Sequence, residues 1–166
     1  MPHSVPASKL MIDRNKWAIF RADSDVSTAI KILRIVTEDE KLEHGHSTPL
    51  VLDENNNLLG FVRLTDLLKE VRHLCDKEDQ PCELDKAVRP VKELVIPFKG
   101  SVTEEDSILK ALDIMIDHGV SLVPVLKGGK LKGIVKLADI FNTVAALLFD
   151  EEEPEERQAI LRDHNL

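Results

Sequence analysis

The chain has 166 residues, enough for one domain of ordinary size and too few for two such domains. Apolar residues make up 43% of it and charged residues 31%, which favours a folded protein over a disordered or fibrous one. The formal net charge is -8, and the last 17 residues, with seven acids and two arginines, contribute -5 of it. The rest is nearly balanced, so a nucleic-acid-binding surface is not expected.

The sequence also bears on the compartment. No apolar run approaches the roughly 20 residues that a membrane-spanning helix needs. The first 12 residues hold one lysine and no continuous apolar stretch, so we expect no secretory signal and a cytoplasmic location. Because a reducing compartment disfavours disulfides, Cys75 and Cys82 are expected to be free thiols.

An internal repeat organises the chain. Residues 58–67 (LLGFVRLTDL) match residues 131–140 (LKGIVKLADI) at a constant offset of 73, with glycine, a basic residue, leucine and aspartate in register. Further upstream, residues 27–33 match residues 109–115. We therefore expect two copies of one unit of about 55 residues.

Each copy begins with a short extended lead, at 17–20 and at 94–98, and continues into a helix. In both helices apolar residues recur at positions i, i+3, i+4 and i+7, which is one stripe of an amphipathic helix. Ser24 and Asp106 precede the stripes and are the predicted N-caps.

The two first helices differ in their predicted ends. In the second copy the helix should stop at His118-Gly119, since glycine readily takes the left-handed conformation there. In the first copy the pair His44-Gly45 comes eight residues later relative to the stripe. Residues 37–43 either lengthen the first helix, which we favour, or form a charged loop.

A hairpin and a second helix complete each copy. The hairpin turns are residues 53–57 and the glycine-containing residues 127–130. The acidic tail is expected to be disordered, with residues 159–161 as an alternative docking turn. The predicted divisions are an N-terminal lead (1–16), a first unit (17–75), a linker (76–93), a second unit (94–148) and an acidic tail (149–166).

The predicted fold class is α/β (α+β), with two β-α-β-β-α repeats related by pseudo-twofold symmetry. Three strands and two helices cannot cover both faces of a sheet, so the apolar face of each sheet must pack against the other copy. Trp17 lies in the first lead and is interpreted as a packing residue rather than a base-stacking one.

This pattern resembles a known family. An Asp or Ser at a helix start, His-Gly, Leu-Val-Pro-Val, a Gly-Gly turn, Gly-Ile-Val and an aspartate-led helix are together similar to the CBS domain. Two such domains in tandem form a Bateman module, and the resemblance covers residues 17–148. It implies a stand-alone, non-catalytic regulatory module whose central cleft holds AMP, ADP or ATP, with no obligatory cofactor and with an unidentified effector protein as a possible partner.

The resemblance also implies a ligand site. In the family signature, positions 63 and 136 carry Ser or Thr, whereas this chain has a cation at both. The expected ligand-binding residues are Gly60, Arg63, Asp66, Gly133, Lys136 and Asp139.

The chemistry of these residues leaves two readings open. An aspartate in the first turn of a helix can accept two ribose hydroxyls, the free N–H groups of that turn can take phosphate, and glycine lets a ligand approach the strand. Arg63 and Lys136 either bind a polyphosphate, which favours ATP or ADP over AMP, or fill the clefts and leave a ligand-free dimerisation scaffold.

Other site classes have weaker support. His44 and His46, or His73 with the two cysteines, could ligate a metal, but their spacing matches no recognised site and none is expected. No catalytic motif is present, so the chain is not expected to be an enzyme. A homodimer is expected from an excess of apolar helix residues, namely Ile114, Leu68, Val144, Ala145, Leu147 and Leu148.

Overall fold

The computed structural model describes residues 4–38, 48–75, 81–148 and 154–166. These residues form a mixed α/β structure, as predicted. The helices and strands are α1 (Ala7–Leu10), β1 (Ile12–Asp13), β2 (Ile19–Arg21), α2 (Val26–Glu38), β3 (Leu50–Leu52), β4 (Leu58–Phe61), α3 (Leu64–Arg72), α4 (Ile108–His118), β5 (Leu122–Lys127), β6 (Lys130–Lys136), α5 (Leu137–Leu148) and α6 (Pro154–Asp163).

Each unit contributes one small sheet. In the first, β2 runs parallel to β3, and β3 pairs antiparallel with β4. In the second, β5 and β6 form an antiparallel hairpin, and Val102 makes one parallel bridge to Val125 in the place that β2 holds in the first unit. The predicted hairpins are confirmed, and Gly128 and Gly129, with φ of +56° and +78°, supply the tight second turn.

The helix caps lie one residue later than predicted. The carboxylate of Asp25 and the hydroxyl of Ser107 accept first-turn N–H groups of α2 and α4, at 2.7 and 3.1 Å. Ser24 and Asp106 are each one position too early, because a cap is the last residue before the helical backbone begins. Asp106 instead accepts the N–H of Thr103 at 2.7 Å in the preceding turn.

The C-terminal end of α4 matches the prediction. Gly119 has a φ of +62°, and its N–H donates to the carbonyl of Met115. Helix α2 is described as far as Glu38. The rest of the predicted extension over residues 37–43 and the predicted end at 44–45 lie outside the described residues.

The N-terminal lead and the lead at 94–98 exchange between the units. Ile12 in β1 pairs with Ile134 of the second sheet. Ile96 pairs with Phe61 of the first sheet, where the two N–H···O bonds are 2.8 and 3.0 Å long. The prediction that residues 94–98 form the lead of the second unit in the manner of residues 17–20 is therefore wrong, because this segment lies along the edge of the first sheet.

A second sequence repeat accompanies this exchange. Residues 6–12 (PASKLMI) correspond to residues 90–96 (PVKELVI). Ala7 packs fully buried in the apolar core of the second unit, and Val91 packs fully buried in the core of the first. Each unit is thus completed by a segment that precedes the other unit in the chain.

The two sheets pack against each other, as the repeat predicts. A shared apolar layer contains Trp17, Leu50 and Leu52 from the first unit and Leu131 and Ile134 from the second. The indole N–H of Trp17 donates to the carbonyl of Thr48 at 2.9 Å, so this tryptophan is a packing residue, as predicted.

The two cysteines form a disulfide, and the prediction of free thiols is wrong. After α3 the chain returns along the first unit, where Leu84 and Ala87 pack against its core. This return brings the Cα atoms of Cys75 and Cys82 to 4.5 Å, a separation that a disulfide spans without backbone movement.

The C-terminal segment is helical from Pro154 to Asp163, so the prediction of disorder is wrong there. Proline suits the first position of a helix, and the acids Glu155 and Glu156 in the first turn and Arg162 in the last turn complement the helix dipole. Residues 159–161 belong to this helix rather than to a separate turn. Among the described residues, no helix is both long and apolar enough to cross a bilayer.

Candidate functional site

The candidate site residues lie at two equivalent junctions between a strand and a helix. At the first junction β4 leads into α3, and at the second β6 leads into α5. Asp66 and Asp139 each lie in the first turn of the helix. In both cases the basic residue stands three positions before the aspartate, at the entrance to the helix.

At the first junction the arginine and the aspartate bind each other. The Arg63 Nε–H donates to Asp66 Oδ2 at 2.8 Å, and Nη2 donates to Oδ1 at 3.3 Å. The side chain of Asp66 is 13% exposed, and the ammonium of Lys69 lies 3.8 Å from its Oδ1. The hydrogen bond from Arg63 holds the pKa of the Asp66 carboxyl below its ordinary value, and the same pairing raises the pKa of Arg63.

At the second junction the equivalent side chains are not paired. Lys136 is the last residue of β6 and pairs through its backbone with Leu122. Within the described residues, neither Lys136 nor the half-buried Asp139 makes an ion pair or a side-chain hydrogen bond. The carboxylate and the ammonium of this junction are therefore available to a ligand.

The two glycines of the predicted site face protein rather than open space. A Cβ on Gly60 would come within 3.0 Å of the Ile96 carbonyl oxygen, and one on Gly133 within 3.0 Å of the Ile12 carbonyl oxygen. The exchanged leads occupy the space that a side chain would otherwise fill. Close packing of the backbone therefore accounts for glycine at both positions without a bound ligand. At Gly60 the φ of +151° adds a second requirement for glycine.

A cavity of about 300 Å³ lies between the units, and residues of both units line it. Its apolar part includes Phe61 and Phe98, whose ring centroids are 5.1 Å apart. Ser121 and Leu122 line it as well, and they connect it to the second junction. The Leu137 N–H donates to the Ser121 carbonyl at 2.9 Å, while Leu122 is the strand partner of Lys136. Such a cavity can bury a flat apolar ring, and Lys99 and His118 are the basic residues in its lining. Lys136 and Asp139 are not part of that lining.

The sequence interpretation missed Phe98, Ser121 and Leu122 as lining residues. The Gly128-Gly129 turn sets the register of the second hairpin only as far as Leu126, and an irregularity between Val125 and Leu126 shifts it by one residue. The pairing of Leu122 with Lys136 depends on this shift, which the sequence interpretation did not include. Phe98 was not predictable either, because it reaches the cavity through the exchanged lead.

A larger open depression of about 600 Å³ lies elsewhere, near the hairpin turn of the first unit. Its charged lining mixes Arg21 and Lys92 with Asp23, Asp53 and Glu54. The guanidinium of Arg21 is already held there by the side-chain oxygen of Asn56 at 2.8 Å. Mixed charges without a buried polar group give no selective binding chemistry.

The described residues do not bring the predicted metal-ligand candidates together. His44 and His46 and the side chain of His73 lie outside the described residues. Cys75 and Cys82 are joined to each other, so neither offers a thiolate. In the part of the chain that the structure describes, no three histidine, cysteine or acidic residues are grouped as metal ligands.

Comparison with known proteins now decides the family. The CBS domain pattern matches residues 14–73 and again residues 89–146. The chain belongs to the CBS domain family. Both matches fall on the two units described above, so the chain carries a CBS pair.

Curated relatives share part of this CBS pair. A 17.7 kDa uncharacterised protein of Acidianus ambivalens is 29% identical over 102 residues, which cover 61% of this chain and 56% of that protein. The inosine-5′-monophosphate dehydrogenase of Korarchaeum cryptofilum is 37% identical over 67 residues, which cover 40% of this chain and 14% of the enzyme. The chain thus matches about half of the first relative and a small part of the second.

Solved CBS structures share the fold. The cytosolic domain of the Mg²⁺ channel MgtE, solved with ATP, has a TM-score of 0.63 at 23% identity and covers 84% of this chain and 48% of that one. CBSX2, solved with AMP, has a TM-score of 0.61 at 19% identity and covers 86% and 98%. CbpB, solved with c-di-AMP, has a TM-score of 0.62 at 13% identity and covers 89% of both chains.

Proposed function

We propose that this CBS pair is a regulatory module that binds an adenine nucleotide in the cavity between its units. Occupancy is signalled by a change in how the two units, or two chains, pack together. The observation that carries the proposal is the cavity of about 300 Å³ between the units, lined in part by Ser121 and Leu122. These two residues are backbone partners of the second junction, whose side chains Lys136 and Asp139 make no ion pair among the described residues.

The cavity and the neighbouring second junction together fit the parts of a nucleotide. The apolar side formed by Phe61, Ile96 and Phe98 suits a nucleobase, which presents flat apolar faces. The carboxylate of Asp139 suits the two hydroxyls of a ribose, and the ammonium of Lys136 suits phosphate. The N–H groups of Ala138 and Asp139 in the first turn of α5 are further donors at this junction, whereas that of Leu137 is already bonded to Ser121.

The structural neighbours support the same ligand class. MgtE was solved with ATP, CBSX2 with AMP and CbpB with c-di-AMP. The shared fold therefore holds adenine nucleotides that differ in their phosphates. For this chain we expect ATP or ADP to bind more tightly than AMP, because a longer phosphate chain brings more negative charge to Lys136.

The remaining parts of the proposal concern the setting of the module. An effector protein receives the signal, and the module has no catalytic role of its own. The match to the dehydrogenase does not argue for catalysis, because it covers 14% of that enzyme.

Thermal unfolding with nucleotides tests the proposal. A ligand at 100 times its dissociation constant stabilises the folded state by about 2.7 kcal/mol, which for this chain length raises Tm by about 5 to 10 °C. We expect such a shift with ATP or ADP, and a smaller one with AMP at equal concentration. No shift with ATP, ADP, AMP, c-di-AMP or S-adenosylmethionine at millimolar concentration contradicts the proposal.

A second candidate function is a ligand-free dimerisation scaffold. Two observations favour it, namely the Arg63–Asp66 pair and the exposed apolar residues on α4 and α5. Ile116 and Phe141 are each 68% exposed and Leu148 is 66% exposed. Of the residues predicted for a dimer surface, Ile114 and Val144 instead pack on the core of their own unit.

The two candidates share a homodimer and differ in the ligand. Light scattering at micromolar concentration should give twice the monomer mass, and the monomer mass would contradict the dimer. Nucleotide retained by the purified protein, or a Tm shift with ATP, contradicts the ligand-free scaffold.

A further inference from the structure

The two candidate junctions have different backbones at the basic residue. Arg63 follows the end of β4 by two residues and stands directly before α3, where its carbonyl accepts the Asp66 N–H at 3.0 Å. Its side chain therefore starts at the helix entrance and folds over the first turn. Lys136 is still part of β6 and is held in register by Leu122, so the pleat of the strand sets the direction of its side chain.

The chemistry of the two cations reinforces this difference. The guanidinium is a planar fork that engages both oxygens of one carboxylate, and Arg63 contacts both oxygens of Asp66. The donors of a lysine all sit on one nitrogen, so a lysine lacks the planar fork that matches the two oxygens of a carboxylate. A ribose needs the same two carboxylate oxygens, so at the first junction it must displace Arg63 from Asp66. At the second junction no described side chain occupies the Asp139 carboxylate.

We propose that each chain binds one adenine nucleotide, at the Lys136–Asp139 junction, and that Arg63 keeps the first junction closed by occupying Asp66. The inference rests on the proposed function and specifies its stoichiometry. In this arrangement, two junctions of similar sequence give one site that binds a nucleotide and one site that is closed by an ion pair within the chain. Arg63 is a specificity-determining residue because it decides how many sites are open.

Equilibrium dialysis of the full chain against radiolabelled ATP tests the inference. The wild type should bind one ATP per chain. Asp139→Asn should raise Kd at least tenfold, whereas the matched change Asp66→Asn should leave Kd within twofold of the wild type. Arg63→Ser should bring a second equivalent of ATP, because it frees the Asp66 carboxylate. Circular dichroism melts identify folded variants, and Lys136→Gln replaces Asp139→Asn, with the same expectation, if the latter does not fold.

The possible failures are distinguishable. Two ATP per wild-type chain, loss of binding in Asp66→Asn but not in Asp139→Asn, or a single equivalent in Arg63→Ser overturns the closing role of Arg63 and leaves the proposed function standing. No ATP binding by the wild type or by Arg63→Ser overturns the proposed function and this inference together.

Discussion

The two strand-to-helix junctions begin from nearly the same residues and end in different states. Each has a glycine in the strand, then a basic residue, then an aspartate in the first helical turn. At the first, Arg63 pairs with Asp66 from within the chain. At the second, neither Lys136 nor Asp139 makes an ion pair or a side-chain hydrogen bond with the other described residues. An internal repeat therefore predicts where two sites lie and does not predict that both are open.

The surroundings of the two junctions also differ, and the first junction is the more constrained. The first unit holds the linker by a disulfide at the end of α3 and by the ion pair between Arg89 and Glu70, 2.7 Å long. At the second junction, the backbone partners Ser121 and Leu122 instead line the cavity between the units. The second helix of the first unit is thus held by a disulfide and an ion pair to the linker. The second unit instead has charged side chains that are free to contact a ligand.

The largest expected effect concerns the two glycines. Gly60→Ala should destabilise the fold by about 3 to 5 kcal/mol, since the new Cβ meets the Ile96 carbonyl and φ is +151°. Gly133→Ala should cost about 2 to 3 kcal/mol, because it meets the Ile12 carbonyl without a positive φ. Urea unfolding measures both. Gly128→Ala, in open space at a φ of +56°, is the control and should cost about 1 to 2 kcal/mol. Equal costs for all three would contradict the exchange of the leads.

The next effect concerns the disulfide, which ties the linker to the first unit and has no counterpart in the second unit among the described residues. Reduction should lower the free energy of unfolding by about 2 to 3 kcal/mol, because the unfolded chain loses a closed loop. Thermal unfolding with and without a dithiol reductant measures the change. The double variant Cys75→Ser and Cys82→Ser should resemble the reduced wild type and should not respond to the reductant. A wild type whose Tm is unchanged after mass spectrometry shows reduction would contradict this.

A third prediction separates the two cations. Lys136→Gln should weaken ATP binding by about 10- to 100-fold, the worth of one charge-assisted hydrogen bond, and should weaken AMP binding less. Arg63→Gln should leave the affinity of the second site and its preference for ATP over AMP unchanged, because Arg63 contacts Asp66 and not the open junction. Titration calorimetry with both nucleotides gives the two ratios. A wild type that prefers AMP would contradict the role of Lys136. A preference for ATP that is lost in Arg63→Gln and kept in Lys136→Gln would assign the phosphates to Arg63 instead.

The smallest effect is electrostatic. The pKa of Asp66 is lowered, chiefly by the hydrogen bond from Arg63, so its pairing stabilises the fold above the unfolded value of about 3.9 and is lost as pH falls through the folded value. Carboxyl NMR titration should find Asp66 below the ordinary range in the wild type and closer to it in Arg63→Gln. A titration curve for Asp66 that is the same in both proteins would show that Arg63 does not hold this carboxylate in solution.

Local pattern was sufficient to predict much of the fold. The hairpins, the end of α4 at Gly119 and the packing of sheet against sheet follow from residues close in sequence and from the repeat. The exchange of the leads was missed, although residues 6–12 and 90–96 carry the same pattern. A sequence pattern shows that two segments are alike, and long-range packing decides which sheet each one joins.

The positions of the candidate site residues were predictable from the sequence, but whether their side chains are paired or free was not. Arginine and aspartate three apart on a helix are able to pair, so the spacing of Arg63 and Asp66 contained that signal. Lysine and aspartate at the same spacing in the second unit contain it too, yet Lys136 is held in β6. The backbone at the junction decides between them, and it depends on how far the strand pairing extends. The pairing of Cys75 with Cys82 likewise depends on the return of the linker along the first unit.

A crystal structure of the chain grown with ATP tests the central claim most directly. The account predicts one nucleotide per chain, with its base against Phe61 and Phe98, its ribose on Asp139 and its phosphates near Lys136, while Arg63 remains on Asp66. A nucleotide whose ribose sits on Asp66 with Arg63 displaced, and an empty second junction, would contradict it.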